Sequence, residues 1–371
     1  MSKNPLQRLS DLGQSVWYDY IRRDLVEGGG LKRLISEDGL RGMTSNPTIF
    51  EKAIAGSALY DDDIGAGSGK SAPEVYESLA VRDVRGAADV FRPVHDACGG
   101  ADGFVSIEVQ PHLARDTQGT IEEARRLWSE CARPNVMVKI PGTAEGLPAI
   151  RQCLSEGINI NITLLFSVAR HREVMAAYLS ALEDRIAAGK PVSGIHSVAS
   201  FFVSRVDTNA DKKLDVLIAA GNEKAKAIRG KTGIANARVA YEAFEEVFAG
   251  PRFAALKAKG ANLQRPLWAS TSTKDPKLPD VYYVEALIAP DSVDTVPPET
   301  FDAYRDHGDP QVRIRDDREG AHALFRTLAE LGISADQIYR ELEDEGVKKF
   351  SDSFDSLMKT IEQKERAMRV A

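Results

Sequence analysis

The 371-residue chain is poor in the residues that build disulfide frameworks and metal sites. Its three cysteines, Cys98, Cys131 and Cys153, are odd in number and match no zinc motif, so we expect free thiols in a reducing compartment. The six histidines are scattered without the HxH or HExxH spacing of metal hydrolases. The sequence therefore indicates neither a disulfide-stapled protein nor a metal hydrolase.

Long apolar runs and an excess of positive charge are also absent. No apolar run approaches the roughly 18 residues that span a bilayer, and the opening MSKNPLQRLSDLGQ lacks the apolar core of a signal peptide. With 48 Lys and Arg against 55 Asp and Glu, the net charge of −7 argues against nucleic acid or a membrane as main partner. We expect a soluble cytoplasmic protein, in which a local basic pocket could still bind a small anion.

A nucleotide-binding loop is suggested only weakly. Residues 65–71, GAGSGKS, resemble a phosphate loop, but Ile64 stands where the motif needs glycine, and no buried strand precedes it. We interpret the segment as a mobile surface loop. Ser71 and Glu74 then have the spacing of a capping box that starts a helix.

Eight short runs rich in Val, Ile, Phe and Thr predict strands that alternate with helical patterns, at 15–19, 42–45, 103–109, 135–140, 159–165, 197–204, 266–272 and 283–289. Helix starts are predicted at Thr120, Thr143, Ser167 and Ser334. This order favours an α/β fold with a single closed (β/α)8 TIM barrel over a doubly wound sheet, whose first turn should carry GxGxxG. We predict one domain over residues 1–371, with added N-terminal, inter-strand and C-terminal helices, and with residues 310–371 as a helical extension packed on the barrel.

Several of these strands have one polar face, although both faces of a parallel barrel strand are normally apolar. The residues that share these faces are Ser106 and Glu108; Met137 and Lys139; Asn159, Asn161 and Thr163; Ser200, Phe202 and Ser204; and Trp268, Ser270 and Ser272. A barrel would gather such groups at one mouth, where barrel enzymes keep their chemistry.

Lys139 is the most informative of these residues. Burial in an apolar wall disfavours the charged ammonium, and a neutral amine is what Schiff-base formation with a ketone requires. A lysine at a strand end that reaches water is the alternative interpretation. Glu108 could shuttle protons beside the imine or simply form a buried ion pair with Lys139. Asp19, at the end of the first predicted strand, could equally be a helix N-cap.

Five segments, in order along residues 15–300, resemble the signature motifs of the transaldolase family. They are GMTSNPTIF at 42–50, VMVKIPGT at 136–143, NINITLLFS at 159–167, FVSRVD at 202–207 and LWASTSTK at 267–274. The resemblance implies a class I aldolase-type barrel of the pentose phosphate pathway, similar to the longer bacterial subgroup. It also implies that no metal or organic cofactor is needed and that sugar phosphates are the partners. We expect a monomer or homodimer.

The implied reaction transfers a dihydroxyacetone unit from sedoheptulose 7-phosphate to glyceraldehyde 3-phosphate, giving erythrose 4-phosphate and fructose 6-phosphate. In the motifs, Lys139 corresponds to the imine-forming lysine and Asp19 to the group that removes the C4 hydroxyl proton. Glu108 and Thr163 correspond to the residues that hold a proton-relaying water. The resemblance implies that Asn46 and Asn161 bind hydroxyls of the dihydroxyacetone unit, with Thr44 in the same pocket. It implies that Ser200 and Arg205 approach the phosphate, and Phe202 and Ser270 are further expected substrate contacts.

Arg205 suits a phosphate because its planar fork matches phosphate oxygens, although a structural pair with Asp207 is the alternative. Many transaldolases have Ser-x-Arg after the seventh strand, whereas this chain has Ser270-Thr271-Ser272. We hypothesise that Lys274 supplies the missing cation. Two other functions stay open: cleavage by a fructose 6-phosphate aldolase type of enzyme, whose members typically have Gln and Tyr at the positions of Glu108 and Phe202, and a non-catalytic sugar-phosphate-binding barrel.

Overall fold

The computed structural model describes residues 3–67 and 69–370, and its centre is a closed barrel of eight parallel strands. The strands are β1 Gln14–Asp19, β2 Gly42–Thr44, β3 Val105–Glu108, β4 Val136–Pro141, β5 Ile160–Leu165, β6 Ser197–Phe202, β7 Gln264–Ala269 and β8 Ser292–Val296. Each strand pairs with the next, and β1 pairs with β8 to close the ring. The predicted TIM barrel is therefore confirmed.

Helices surround the barrel and fill the connections between its strands. In the first half they are α1 Pro5–Asp11, α2 Arg23–Glu27, α3 Gly30–Asp38, α4 Pro47–Ala55, α5 Asp61–Ala66, α6 Ala72–Ala97, α7 Thr117–Cys131 and α8 Gly146–Glu156, with a short 3-10 helix at Pro111–Leu113. In the second half they are α9 Val168–Ala187, α10 Ser204–Ala219, α11 Glu223–Ile228, α12 Thr232–Ala249, α13 Pro251–Lys257, α14 Tyr282–Ala286, α15 Pro298–His307, α16 Arg318–Glu330 and α17 Ala335–Val370. Among the described residues, no helix is long and apolar enough to cross a membrane.

Seven predicted strands overlap the observed ones, and the eighth was wrong. Residues 283–289 lie mostly in helix α14 and the turn after it, while β8 is Ser292–Val296. A short apolar run is compatible with either a buried strand or a buried helical turn, so composition could not separate the two. The observed β8 is short and carries Asp294 in its centre, which made its sequence a weaker strand signal.

The predicted helix starts were mostly correct. Ser167 and Ser334 cap α9 and α17, and the Ser71 amide donates to Glu74 Oε2 at 2.8 Å in the predicted capping box of α6. Thr120 was wrong as a cap, because α7 begins earlier and its N-cap is Asp116, whose carboxylate accepts from Gly119. At the start of α8, the Thr143 hydroxyl accepts from the Gly146 amide at 3.0 Å.

The predicted surface loop at 65–71 is shorter than expected. Gly65 and Ala66 form the end of α5, and Ser68 lies outside the described residues. The prediction of free thiols is confirmed for all three cysteines.

Strand alternation sorts the barrel into an apolar outer face and a layered interior. Side chains such as Val105, Val138 and Ile160 face outward and belong to the hydrophobic cluster shared with the helices. The lower interior is filled by a second apolar set that includes Trp17, Met137, Val198, Leu267 and Val293. The polar residues two positions further along the strands lie above this floor, at the carboxyl ends.

Gly42 makes room for Trp17 in the lower interior of the barrel. A Cβ added at Gly42 would lie 2.6 Å from the indole of Trp17, so only glycine lets this large ring fill the interior beside β2. The indole Nε1 donates to Asp102 Oδ1 at 2.9 Å, which fixes the ring at the amino-terminal end of the barrel.

The predicted interior position of Trp268 was wrong. Trp268 faces the helices, where its ring packs against Phe201 and Tyr241, while Leu267 and Ala269 belong to the interior cluster. Ser270 follows the strand with φ +57°, so the alternation ends there and the polar residues after it leave the strand pattern.

Helix α17 runs across the carboxyl-terminal side of the barrel. It packs against α4, α5, α6, α10 and β5. Its apolar residues Phe354, Leu357 and Ile361 belong to the same hydrophobic cluster as the outer barrel face. Polar contacts add to this packing, including Thr48 to Ser353 at 2.9 Å and Lys364 to Asp61 at 2.6 Å. These contacts support the single domain with a packed 310–371 extension, which stays a prediction.

Candidate active site

The carboxyl ends of the strands open into a cavity of about 910 Å³. Of the twelve site residues predicted from the sequence, ten line it: Asp19, Thr44, Asn46, Lys139, Thr163, Ser200, Phe202, Arg205, Ser270 and Lys274. The other two, Glu108 and Asn161, lie directly behind lining residues and contact them. The structure therefore brings the whole predicted set together.

Lys139 occupies the floor of this cavity. It belongs to β4 and is only 5% exposed. Its Nζ lies 3.1 Å from Glu108 Oε2 and donates to the backbone oxygen of Ser45 at 3.0 Å. The parallel register pairs Glu108 directly with Lys139, so strand geometry alone places the carboxylate beside the amine.

Glu108 is a buried carboxylate with incomplete hydrogen bonding. Burial raises the pKa of Glu108, and the neighbouring Lys139 charge opposes that rise. Its Oε1 and the hydroxyl of Thr163 are both buried without a hydrogen-bonding partner among the described residues. Buried polar groups normally find a partner, so these two atoms are suited to bind a water or a substrate oxygen.

Asp19 ends β1 on another wall of the cavity. Its Oδ1 accepts a hydrogen bond from Thr44 at 2.7 Å, and the Thr44 hydroxyl lies 2.7 Å from that of Thr295. Burial raises the pKa of Asp19, while Lys139, Thr44 and Arg205 oppose the rise. Asp19 is not a helix cap, since α2 begins only at Arg23. The carboxylate is thus held rigidly and faces the cavity.

Asn46 combines a structural contact with exposure to the cavity. Its side-chain oxygen accepts from the Ile49 amide at 3.0 Å and caps α4. Because that contact uses only the oxygen, the amide NH₂ of Asn46 is left to donate to a ligand.

Asn161 lies one layer deeper than the lining residues. Its Nδ2 donates to Ser106 Oγ at 3.0 Å, and its Oδ1 accepts from Ser200 at 2.6 Å. These two hydrogen bonds fix the orientation of the Ser200 hydroxyl. Ser200, in β6, lines the cavity.

Arg205, in the first turn of α10, is held by aromatic rings. Its guanidinium carbon lies 4.9 Å from the ring centre of Phe202 and 5.9 Å from that of Phe350. Asp207, the alternative partner, is engaged elsewhere: its two oxygens accept from the Gly233 amide and the Tyr283 hydroxyl at 2.7 and 2.8 Å. Within residues 3–67 and 69–370, Arg205 has no ion pair, and its fork faces the cavity.

Two residues at the ends of β5 and β7 have a strained backbone. Leu164 has φ +59° at a register shift in β5, and Ser270 has φ +57° directly after β7. Non-glycine residues in this region store strain, which is commonest at functional sites. The Ser270 hydroxyl lies 2.9 Å from that of Ser204, so the turn links β7 to the start of α10. Beyond the turn, Lys274 donates to Ser272 Oγ at 2.6 Å.

The sequence of this protein is similar to those of known proteins over almost its whole length. A family model described as Transaldolase/Fructose-6-phosphate aldolase matches residues 16–361. The chain belongs to this family. It is 50% identical over 363 residues to a protein named Transaldolase from Thermobifida fusca, covering 97% of this chain and 98% of that protein. A Transaldolase 2 from Nostoc sp. is 47% identical, with 98% of both chains covered.

For this member of the family, sequence reasoning missed the wall contributed by helices α4 and α17. Lys52 of α4, and Leu342, Glu345, Lys349 and Phe350 of α17, all line the cavity. In the sequence these residues belong to ordinary charged amphipathic helices. Only the path of α17 across the barrel mouth distinguishes them from solvent-facing side chains.

Proposed function

We propose that the protein is a transaldolase that works through a Schiff base on Lys139. The single observation that carries this proposal is the placement of the Lys139 amine on the cavity floor, 3.1 Å from Glu108, with the Asp19 carboxylate in the same cavity. The names of the full-length relatives support the transfer reaction. The donor would be sedoheptulose 7-phosphate and the acceptor glyceraldehyde 3-phosphate.

The first half of the reaction uses Lys139, Glu108 and Thr163. The neutral amine attacks the ketone carbon, and loss of water from the adduct gives the imine. Glu108 and Thr163 bind the water that carries protons to and from the reacting oxygen, since both have unsatisfied buried atoms there.

Asp19 performs the second half. It takes the proton of the C4 hydroxyl as the C3–C4 bond breaks, and the bonding electron pair moves into the protonated imine to give an enamine. The aldose then leaves, the acceptor aldehyde enters, and the same steps run in reverse until water releases the product. The raised pKa of Asp19 makes it a stronger base than an exposed carboxylate.

The remaining residues bind the substrate. Thr44 and Asn46 contact hydroxyls of the dihydroxyacetone unit, and Asn161 acts there together with Ser200, whose hydrogen bond to Asn161 favours this end over the phosphate end expected from the sequence. Arg205 binds the phosphate, aided by its position in the first turn of α10, where the helix dipole favours an anion. Ser270 and Phe202 shape the same end of the cavity, and Lys274 supplies a second positive charge.

Borohydride trapping tests the proposal. Fructose 6-phosphate with borohydride should attach one dihydroxyacetone-derived group irreversibly to Lys139, located by peptide mapping. Lys139→Ala should abolish the adduct, whereas Lys348→Ala, an exposed lysine paired with Asp352, should not. An unmodified wild-type protein would refute the proposal.

A coupled assay then separates transfer from simple cleavage. Transfer predicts turnover of fructose 6-phosphate only when erythrose 4-phosphate is present. Release of free dihydroxyacetone without an acceptor would instead identify a fructose 6-phosphate aldolase.

The role of Lys274 is tested by the Michaelis constants of Lys274→Ala. If they are unchanged for both phosphosugars, the proposed phosphate contact of Lys274 is wrong.

A further inference from the structure

Three lysines from separate elements line the cavity on the side of Arg205. Lys52 comes from α4, Lys274 from the segment after β7, and Lys349 from α17. In the described part of the chain, none of the three forms an ion pair with a carboxylate. Besides Asp19, the acidic residues Asp280, Glu299 and Glu345 also line the cavity, and the charge of Glu299 raises the pKa of Lys274. The cations Arg205 and Lys212 together with the three lysines still outnumber these three carboxylates.

The orientation of Lys349 is specific, as its neighbour shows. Lys348 is highly exposed and pairs with Asp352 at 2.6 Å, one turn further along α17. Lys349 is rotated by about 100° from it, as one helical residue requires, and lines the cavity. Two adjacent lysines thus have different environments, one on the outer surface and one at the mouth.

Gly346 lets α17 come close enough for this arrangement. A Cβ added at Gly346 would lie 2.9 Å from Leu164 Cδ2 and 3.7 Å from Arg205 Nη1. The helix backbone therefore packs directly on the strained end of β5 and beside the Arg205 guanidinium, one turn before Lys349.

The charges of these residues act on one another. Burial lowers the pKa of Lys349, and the charges of Arg205, Lys274 and Lys52 lower it further. Burial and Arg205 likewise lower the pKa of Lys274. Like charges held together without an anion destabilise the unliganded protein, and a bound dianion would relieve that repulsion.

We propose that Lys349 and Lys52 are specificity-determining residues that, with Lys274, form a second phosphate anchor beside Arg205. This inference rests on the proposed function. The imine fixes C2 of the donor at Lys139, so the phosphate lies on the sixth carbon of one donor and on the seventh carbon of the other. Arg205 is held between two aromatic rings, whereas lysine ammonium groups on flexible stems adapt to either length.

The test compares Lys349→Ala and Lys52→Ala with the matched control Lys348→Ala. Each of the first two should raise the KM for fructose 6-phosphate about five- to twentyfold with kcat nearly unchanged, as expected for loss of one charged phosphate contact. The KM for the seven-carbon donor should rise by a similar factor, because the lysine side chains adapt to either length. Lys349→Arg should restore most of the affinity, and borohydride trapping with unphosphorylated dihydroxyacetone should be unaffected.

Inorganic phosphate provides a readout independent of turnover. Phosphate should raise the Tm of the wild type and of Lys348→Ala by the same amount, and that shift should shrink in Lys349→Ala. Equal shifts and equal KM values in Lys349→Ala and Lys348→Ala would overturn the inference while leaving the Lys139 chemistry intact. Absence of the Lys139 adduct would overturn the proposed function instead, and the Tm shift would still decide whether the lysines bind phosphate.

Discussion

Replacing Asp19 by Asn removes one proton acceptor and leaves the shape of the site almost unchanged. The Asn oxygen can still accept the 2.7 Å hydrogen bond from Thr44, and the side-chain volume is the same. Loss of a positioned general base typically costs 10²- to 10⁴-fold in rate. Because burial raises the pKa of Asp19 and so makes it a stronger base than an exposed carboxylate, we expect the upper part of that range, about 4–5 kcal/mol in the barrier.

The assay should also show which step is blocked. In the wild type, borohydride should trap a three-carbon unit after C3–C4 cleavage. In Asp19→Asn, the imine should form but the C3–C4 bond should not break, so mass spectrometry should find the intact six-carbon phosphosugar on Lys139. Asp294→Asn, at a buried carboxyl in β8 outside the cavity lining, is the matched control and should give the three-carbon adduct. A three-carbon adduct formed by Asp19→Asn at the wild-type rate would refute the assignment of the base.

Three further predictions concern the cavity wall and stability. Phe350→Leu should raise the KM for phosphorylated donors about two- to fivefold with kcat retained, because it removes one ring from Arg205; an unchanged KM in steady-state kinetics would contradict this. Gly346→Ala should change the free energy of unfolding in urea by less than about 1 kcal/mol, because displacement of Leu164 Cδ2 by the new methyl offsets the gain in helix propensity; a stabilisation of the full ~1 kcal/mol would show that Leu164 moves freely. Burial raises the pKa of Asp294 from 3.8 to about 7, so its stabilising effect is present below pH 4 and lost as pH rises to 7. Asp294→Asn should therefore remove about 3 kcal/mol of the decline between pH 5 and pH 8, measured by urea titrations at those two pH values.

The barrel and its catalytic floor were predictable because strand periodicity is a local property. Lys139 and Glu108 each lie two positions beyond interior residues of their strands, so alternation places them on the inside and parallel register places them side by side. The same alternation correctly predicts Asn161 and Ser200 on the interior side of β5 and β6, where the two side chains share a hydrogen bond.

The mouth of the barrel was less predictable because it depends on packing between distant segments. Lys348 and Lys349 are adjacent residues of the same type. The packing of α17 against Leu164 decides which of them lines the cavity. The left-handed turn at Ser270 ended the alternation that had wrongly placed Trp268 inside. The strand prediction at 283–289 failed for a different reason, since the composition of that apolar run suits both a strand and a helical turn.

Phe350 and Gly346 belong to a helix that carries none of the groups proposed to make or break bonds. The groups proposed to make and break bonds lie on barrel strands, whose substitution would disturb the closed sheet, whereas α17 lines the cavity beside Arg205. On the proposed function, part of the substrate range would therefore be encoded in α17, apart from the strands that carry the reaction chemistry. A library restricted to Leu342, Glu345, Lys349 and Phe350 could redirect the protein to unphosphorylated aldehydes while leaving the Lys139 site unaltered.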